Sequence, residues 1–218
     1  RFDERNANTI EYKSPKMNGF VVAAAVSLHE GSSAGTTTTT VDDEGNVVSK
    51  KGDSKKNQAY DIAVTYKEGP IDFAAAYETY QDDATRGGRD AFRIAGAYKV
   101  LPELNLGAFY QLSQHDNEAK NPDVSVYGVT ADYKISPKTY VRGQYFIRDV
   151  DTADSNSDLI ALGVEHRLDS ALRVYGNVAT VLNDKKASRT PWEQARTNNI
   201  AGTAGEDAMA LSVGMRYD

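Results

Sequence analysis

The stretch Asn57-Gln58-Ala59-Tyr60-Asp61-Ile62-Ala63-Val64-Thr65-Tyr66-Lys67 decides how this chain folds. Successive side chains of a strand point to opposite sides. Tyr60, Ile62, Val64 and Tyr66 therefore share one face, and Asp61, Ala63, Thr65 and Lys67 the other. This period of two marks a strand with one apolar face and one polar or small face. The pattern recurs. Ile71, Phe73, Ala75 and Tyr77 oppose Asp72, Ala74, Ala76 and Glu78. Phe92, Ile94, Gly96, Tyr98 and Val100 oppose Arg93, Ala95, Ala97 and Lys99. Leu104, Leu106, Ala108, Tyr110 and Leu112 oppose Asn105, Gly107, Phe109, Gln111 and Ser113. Eleven such segments are predicted, at about 8–14, 20–29, 57–67, 71–81, 90–100, 104–114, 124–135, 139–148, 158–168, 171–182 and 207–218. No stretch shows a sustained 3.6-residue period.

The connections alternate in kind. Tight turns such as Pro15-Lys16-Met17-Asn18-Gly19, Glu68-Gly69-Pro70, Leu101-Pro102-Glu103, Ser136-Pro137-Lys138 and Asp169-Ser170 follow the odd segments. Longer polar loops, at 30–56, 82–89, 115–123, 149–157 and 183–206, follow the even ones. In an up-and-down meander this places every short turn at one end of the sheet and every long loop at the other. At the short-turn end an aromatic or His precedes a basic residue: Tyr12-Lys13, Tyr66-Lys67, Tyr98-Lys99, Tyr133-Lys134 and His166-Arg167, with Tyr217 closing the chain at the same level. Tyr12, Tyr66, Tyr98, Tyr133 and Tyr217 on one outward face read as an aromatic girdle at a membrane–water interface.

Composition alone suggests an ordinary soluble domain. The chain has 218 residues, 40% hydrophobic, with a formal net charge of −6. Its longest wholly apolar run, Phe20–Val26, is far short of the roughly 20 residues of a membrane helix. The opening Arg1-Phe2-Asp3-Glu4-Arg5 lacks the apolar run of a signal peptide. The absence of cysteine excludes disulfide scaffolds, thiolate metal sites and cysteine nucleophiles. The acidic balance argues against a nucleic-acid partner. Thirteen tyrosines against six phenylalanines and one tryptophan, with Leu and Ile sparse, do not fit a conventional oily core.

Length arithmetic points to a membrane instead. Ten or eleven residues rising about 3.3 Å each, tilted about 40°, span roughly 25–28 Å, which matches the apolar band of an outer-membrane barrel. The charges that alternate with the apolar residues would need partners in a dry sandwich core. Along a water-filled lumen they need none. The expected fold is an all-β, transmembrane, antiparallel up-and-down barrel. A soluble β-sandwich accounts neither for the loop asymmetry nor for the tyrosine ring.

The residues at this point resemble a known family. Arg5-Asn6-Ala7-Asn8-Thr9-Ile10-Glu11-Tyr12-Lys13-Ser14-Pro15 followed by Gly19-Phe20 is similar to a mid-chain strand–turn motif of the Gram-negative trimeric general porins. So are Ala97-Tyr98-Lys99 with Leu104-Asn105-Leu106-Gly107-Ala108, and the ending Leu211-Ser212-Val213-Gly214-Met215-Arg216-Tyr217-Asp218. The resemblance implies a 16-stranded barrel that passes small hydrophilic solutes by passive diffusion, without catalysis, cofactor or metal. It also implies a homotrimer in contact with outer-membrane lipid and lipopolysaccharide. Two departures stand out: family members usually end in Phe, and they carry further strands and a pore-constricting loop ahead of this motif. Eleven strands is an odd number with two open edges, which lipid does not tolerate. Residues 1–218 are thus expected to be one barrel domain, the carboxyl-terminal two-thirds of a longer porin.

The alternation predicts the pore lining. Inward bases are Lys13, Lys67, Arg93, Lys99, Lys134, Arg142, Arg148, Arg167, Arg173 and Arg216; inward acids are Glu11, Asp61, Asp72, Glu78, Asp132 and Glu165. The wall is therefore cationic, while the long loops carry Asp42-Asp43-Glu44, Asp82-Asp83, Asp149, Asp151, Asp154 and Asp158. Arg93, Arg142 and Arg173 are the mid-barrel candidates for charge selectivity; alternatively, they pair with neighbouring acids and hold the wall. Phe109, Tyr140, Phe146 and Tyr175 also face inward, which keeps a sugar- or anion-preferring porin open. A barrel enzyme or adhesin would place Ser, His or paired carboxylates together at one rim, and His29, His115 and His166 show no such spacing. The oxygens of 149–158 lack the glycine and distal glutamate of an EF-hand and read as a solvated loop. Thr36–Thr40 reads as a mobile loop tip. Gly87-Gly88 has no helix to receive a phosphate.

Overall fold

An unbroken series of alternating segments joined by tight turns can satisfy its backbone donors most simply by pairing each strand with the next. The computed structural model, which describes residues 8–28, 37–41, 47–51, 58–83, 87–118, 121–192 and 201–217, has this arrangement. Its strands in chain order are β1 (Thr9–Lys13), β2 (Phe20–Ser27), β3 (Thr37–Val41), β4 (Val47–Lys51), β5 (Gln58–Glu68), β6 (Ile71–Asp83) and β7 (Gly87–Leu101). They continue as β8 (Leu104–His115), β9 (Val124–Ser136), β10 (Thr139–Val150), β11 (Ser157–Arg167), β12 (Leu172–Asn183) and β13 (Ala208–Tyr217). Eleven of them form one sheet in the order β1-β2-β5-β6-β7-β8-β9-β10-β11-β12-β13. All neighbours in it are antiparallel. Among the described residues there is no helix.

The separate hairpin of β3 and β4 corrects the sequence reading of 30–56 as loop and of its threonines as a mobile tip. Thr37–Thr40 is β-branched throughout and suits a strand. Thr39 Oγ1 and Ser49 Oγ meet across the ladder at 3.3 Å. Arg5–Ala7, His29, Thr36, Asp42–Glu44 and Asp218, each singled out in the sequence, lie outside the described residues.

Register carries the two faces across the sheet. Directly opposed residues point to the same side. Tyr12, Ala24, Ile62, Tyr77 and Phe92 follow one another in this way along one face. Glu11, Ala25, Asp61, Glu78 and Ala91 do so along the other. Among the described residues nothing covers the apolar face: Ile62, Val129 and Leu162 are 54%, 56% and 56% exposed. The fold is therefore held by ladder hydrogen bonds and cross-strand contacts, not by a core between layers.

The two ends differ as the loop lengths foretold. At the short-turn end Asn18 (φ 49°) and Gly19 (φ 88°) form the two-residue turn that matches strand twist, with Met17 and Phe20 exchanging backbone bonds of 2.8 and 2.9 Å. Gly19 is needed there twice over, since a Cβ would also lie 2.8 Å from the Tyr66 ring. At the long-loop end the loops hold one another. Asn156 Oδ1 accepts from the Val150 N–H at 2.8 Å, and the Asn156 N–H donates to Asp184 Oδ2 at 3.1 Å. The Lys186 N–H donates to the Asp154 carbonyl at 2.8 Å. Asn156 Oδ1 and the Asp154 carbonyl are thus spent inside the loop structure. Among the described residues no three His, Asp or Glu side chains converge as a metal site.

Candidate pore wall

The register puts all sixteen predicted inward charges on the same face as Glu11, Asp61 and Glu78. The face falls into two regions. Across β6–β10 one layer runs Ala74, Ala95, Phe109, Gly128 and Phe146. Gly128 separates the two rings, which meet edge to face at 5.9 Å between centroids. A Cβ at position 128 would lie 2.6 Å from the Phe146 ring, so only glycine admits this packing. Ala97 and Gly107 extend the small-residue floor, and a shallow cavity of about 310 Å³ lies over it. Arg93 borders this region. Its Nε donates to Gln111 Oε1 at 2.8 Å, Gln111 donates on to Ser113, and its guanidinium stands 5.8 Å from the Phe109 centroid.

The second region spans β9–β13 and is ionic. Three layers lie side by side. Asp132, Arg142, Gly163, Asn177 and Ser212 form one. Lys134, Tyr140, Glu165, Tyr175 and Gly214 form the next. Arg167, Arg173 and Arg216 form the last, nearest the short turns. Arg142 ties the first two: Nε donates to Asp132 Oδ2 at 2.6 Å and Nη1 to Glu165 Oε2 at 3.2 Å. Glu165 is the centre of the group, only 9% exposed. Its Oε1 stands 3.7 Å from both Arg167 Nε and Arg173 Nη1. Tyr140 lies beneath Arg142 and Arg167, at 5.7 and 5.0 Å from centroid to guanidinium carbon.

The structure separates the three arginines expected at mid-barrel and corrects the placing of one: Arg173 stands opposite Arg167, in the layer nearest the short turns. Arg142 and Arg173 are engaged by carboxylates, as the wall-holding reading had it, whereas Arg93 leans on an amide and a ring. Lys67 is also paired, to Asp72 at 2.6 Å. Water along a lumen would relieve these charges of the need for partners, yet several of them pair. Neighbouring strands bring opposite charges within reach, and even exposed groups then pair.

The apolar face holds a feature that the sequence reading missed. Besides Tyr12, Tyr66, Tyr98 and Tyr133, a second row of tyrosines lies toward the long loops: Tyr60, Tyr77, Tyr110, Tyr127 and Tyr145, with Tyr110 directly opposite Tyr127. Three of their hydroxyls donate within this row, Tyr77 to Asp90 (2.9 Å), Tyr145 to Asp158 (2.6 Å) and Tyr60 to Gln58 (3.2 Å). The signal was present in the opening stretch, where Tyr60 and Tyr66 share a face six residues apart.

The sequence pattern that defines the Gram-negative porins matches residues 1–186. This chain belongs to that family. It is 25% identical over 218 residues to "Outer membrane porin protein 32" of Delftia acidovorans, covering 98% of this chain and 56% of that protein. Among solved structures it superposes on "Anion-selective porin from Comamonas acidovorans" with a TM-score of 0.74 at 22% identity, covering 97% of this chain and 59% of that one. A TM-score of 0.59 at 16% identity relates it to an outer-membrane protein of Vibrio cholerae, over 96% of this chain and 63% of that one. The chain spans less than two thirds of these relatives, and its eleven-stranded sheet has the porin barrel fold. Within a porin, the layered charged face and the two rows of tyrosine acquire a common frame.

Proposed function

We propose that the protein to which this chain belongs is an outer-membrane porin, a water-filled channel for passive diffusion of small hydrophilic solutes and ions, and not an enzyme. The observation that carries this reading is the division of all eleven strands of the main sheet into a charged face and an apolar face that no described residue covers, in a chain of the porin family. The charged face lines the lumen, where water solvates its ions. The apolar face meets lipid, with the two tyrosine rows at the two interfaces. Outer-membrane lipid, lipopolysaccharide and two further copies in a homotrimer are the partners this reading assigns. The sixteen charges, Arg148 and Arg216 among them, are its pore lining, and residues 1–218 are one part of a single barrel domain.

Planar-bilayer recording of the full-length protein tests this. Large, steady steps grouped in threes are expected, and absence of conductance would reject the channel. Charge preference is tested in the same membrane. Arg93, Arg142 and Arg173 replaced together by Glu should move the reversal potential toward cations. Because Arg93 alone of the three has no carboxylate partner among the described residues, R93E should supply most of that shift. An unchanged potential removes these residues from the selectivity machinery.

A further inference from the structure

We propose that the inward wall across β8–β12 carries a subsite for a neutral, polyhydroxylated solute the size of a monosaccharide. The proposal rests on the channel reading, which places this face in the lumen, and goes beyond it in naming a solute. A cavity of about 470 Å³ lies over the wall here. Pockets that hold small molecules run from about 300 to 1,000 Å³. Its floor is Ala161, Gly163 and Ala179, which are too small to fill the space. Polar side chains surround that floor. Asn105 and Asn177 belong to one inward layer, on either side of Asp132 and Arg142. Thr130 and Gln144 stand directly opposite each other in the next.

The ions and the amides of this cavity differ in what they have left to offer. Asp132 and Arg142 are the ions that line it, and they bind each other at 2.6 Å, with Glu165 also on Arg142 at 3.2 Å. A charged solute therefore gains little from the lining. Asn105, Thr130 and Gln144 make no side-chain hydrogen bond among the described residues. Asn177 donates through Nδ2 to Ser212 Oγ at 3.3 Å, which leaves Oδ1 and a second N–H. Gly163 makes room for that oxygen, since a Cβ there would meet Asn177 Oδ1. A side-chain amide both donates and accepts, and so does a hydroxyl. An anion could use only the donors of this set, and a cation only the acceptors. Three amides and one hydroxyl around a flat floor match a solute whose whole surface is hydroxyl groups.

The probe is D-glucose added to the full-length protein in detergent, read by saturation-transfer NMR, with D-glucuronate as the charged comparison. Glucose should bind saturably, with the same half-saturation at low and high salt, and glucuronate should bind no more tightly. Q144A and N177A should each raise the half-saturation concentration about fivefold, the loss of one net hydrogen bond. T65A, on the same face in β5 and outside the cavity, should leave it unchanged. Strand circular dichroism is recorded for each variant. Folded Q144A and N177A proteins that bind glucose as wild type does would overturn the subsite. So would equal loss in T65A, or glucuronate binding more tightly than glucose. Bilayer steps from the same preparations separate the two readings. A protein that conducts without binding glucose loses the subsite alone, whereas one that does not conduct strikes the channel reading, since glucose binding is read without it.

Discussion

The two regions of the charged face obey the same alternation and end in opposite chemistry. Across β6–β10 one inward layer is small or aromatic throughout, and in it Phe109 and Phe146 meet over Gly128. Across β9–β13 the layers toward the short turns are ionic, and Glu165 gathers three arginines. A period of two demands only that a residue face water or lipid. It leaves open whether the watery side is smooth or charged, and this sheet uses one region for each.

The comparison requires both regions to share an apolar back, so the largest effect should come from violating it. Val129 lies on that back in β9, between the two tyrosine rows. V129R should destabilise the folded, membrane-inserted barrel by about 2–4 kcal/mol, whereas T130R, one residue along on the other face, should cost under about 0.5 kcal/mol. Guanidinium unfolding of the full-length protein in lipid vesicles measures both. Equal costs would break the face assignment, and with it the comparison.

Next in size is the ionic region. E165A removes a nearly buried carboxylate and leaves three guanidiniums crowded together. Partial exposure of the arginines screens the loss, so a cost of about 2 kcal/mol is expected in the same unfolding experiment. The smooth region should respond less. F146A removes a half-buried ring that packs on Phe109, at about 1.5 kcal/mol. E165A should also depend on salt and F146A should not. If both vary alike with salt, the two regions are not chemically distinct.

The smallest effect lies at the turn beyond the arginine row. Asp169 accepts the Ala171 and Leu172 N–H groups at 2.8 Å each, which hold its carboxyl below the usual carboxylate range. A lowered value in the folded turn means the contribution is present above the unfolded value, near pH 4, and is lost as pH falls through the folded one. Amide exchange at Ala171 and Leu172 should therefore accelerate on acidification in the wild type. In D169N that acid-dependent step should be absent.

Much of the candidate wall was legible because strand alternation is local. Asp61 and Tyr66 are assigned to opposite faces by counting, and the meander follows from turns such as Asn18-Gly19. The hairpin of β3 and β4 was not legible, because a run of identical threonines has no period-two alternation to separate a strand from a low-complexity loop. The second tyrosine row was visible residue by residue in Tyr60 and Tyr127. It becomes a row only when neighbouring strands are set at their proper stagger.

The sequence by itself determined the eleven strands of the main sheet, their two faces and their order, since all of these follow from neighbours along the chain. Only the tertiary structure decided that Arg167, Arg173 and Arg216 stand in one row, that Glu165 lies behind them, and that Gly128 seats Phe146. Those facts depend on register, and register is fixed by hydrogen bonds between strands, which a pattern of period two repeats equally well at every two-residue shift.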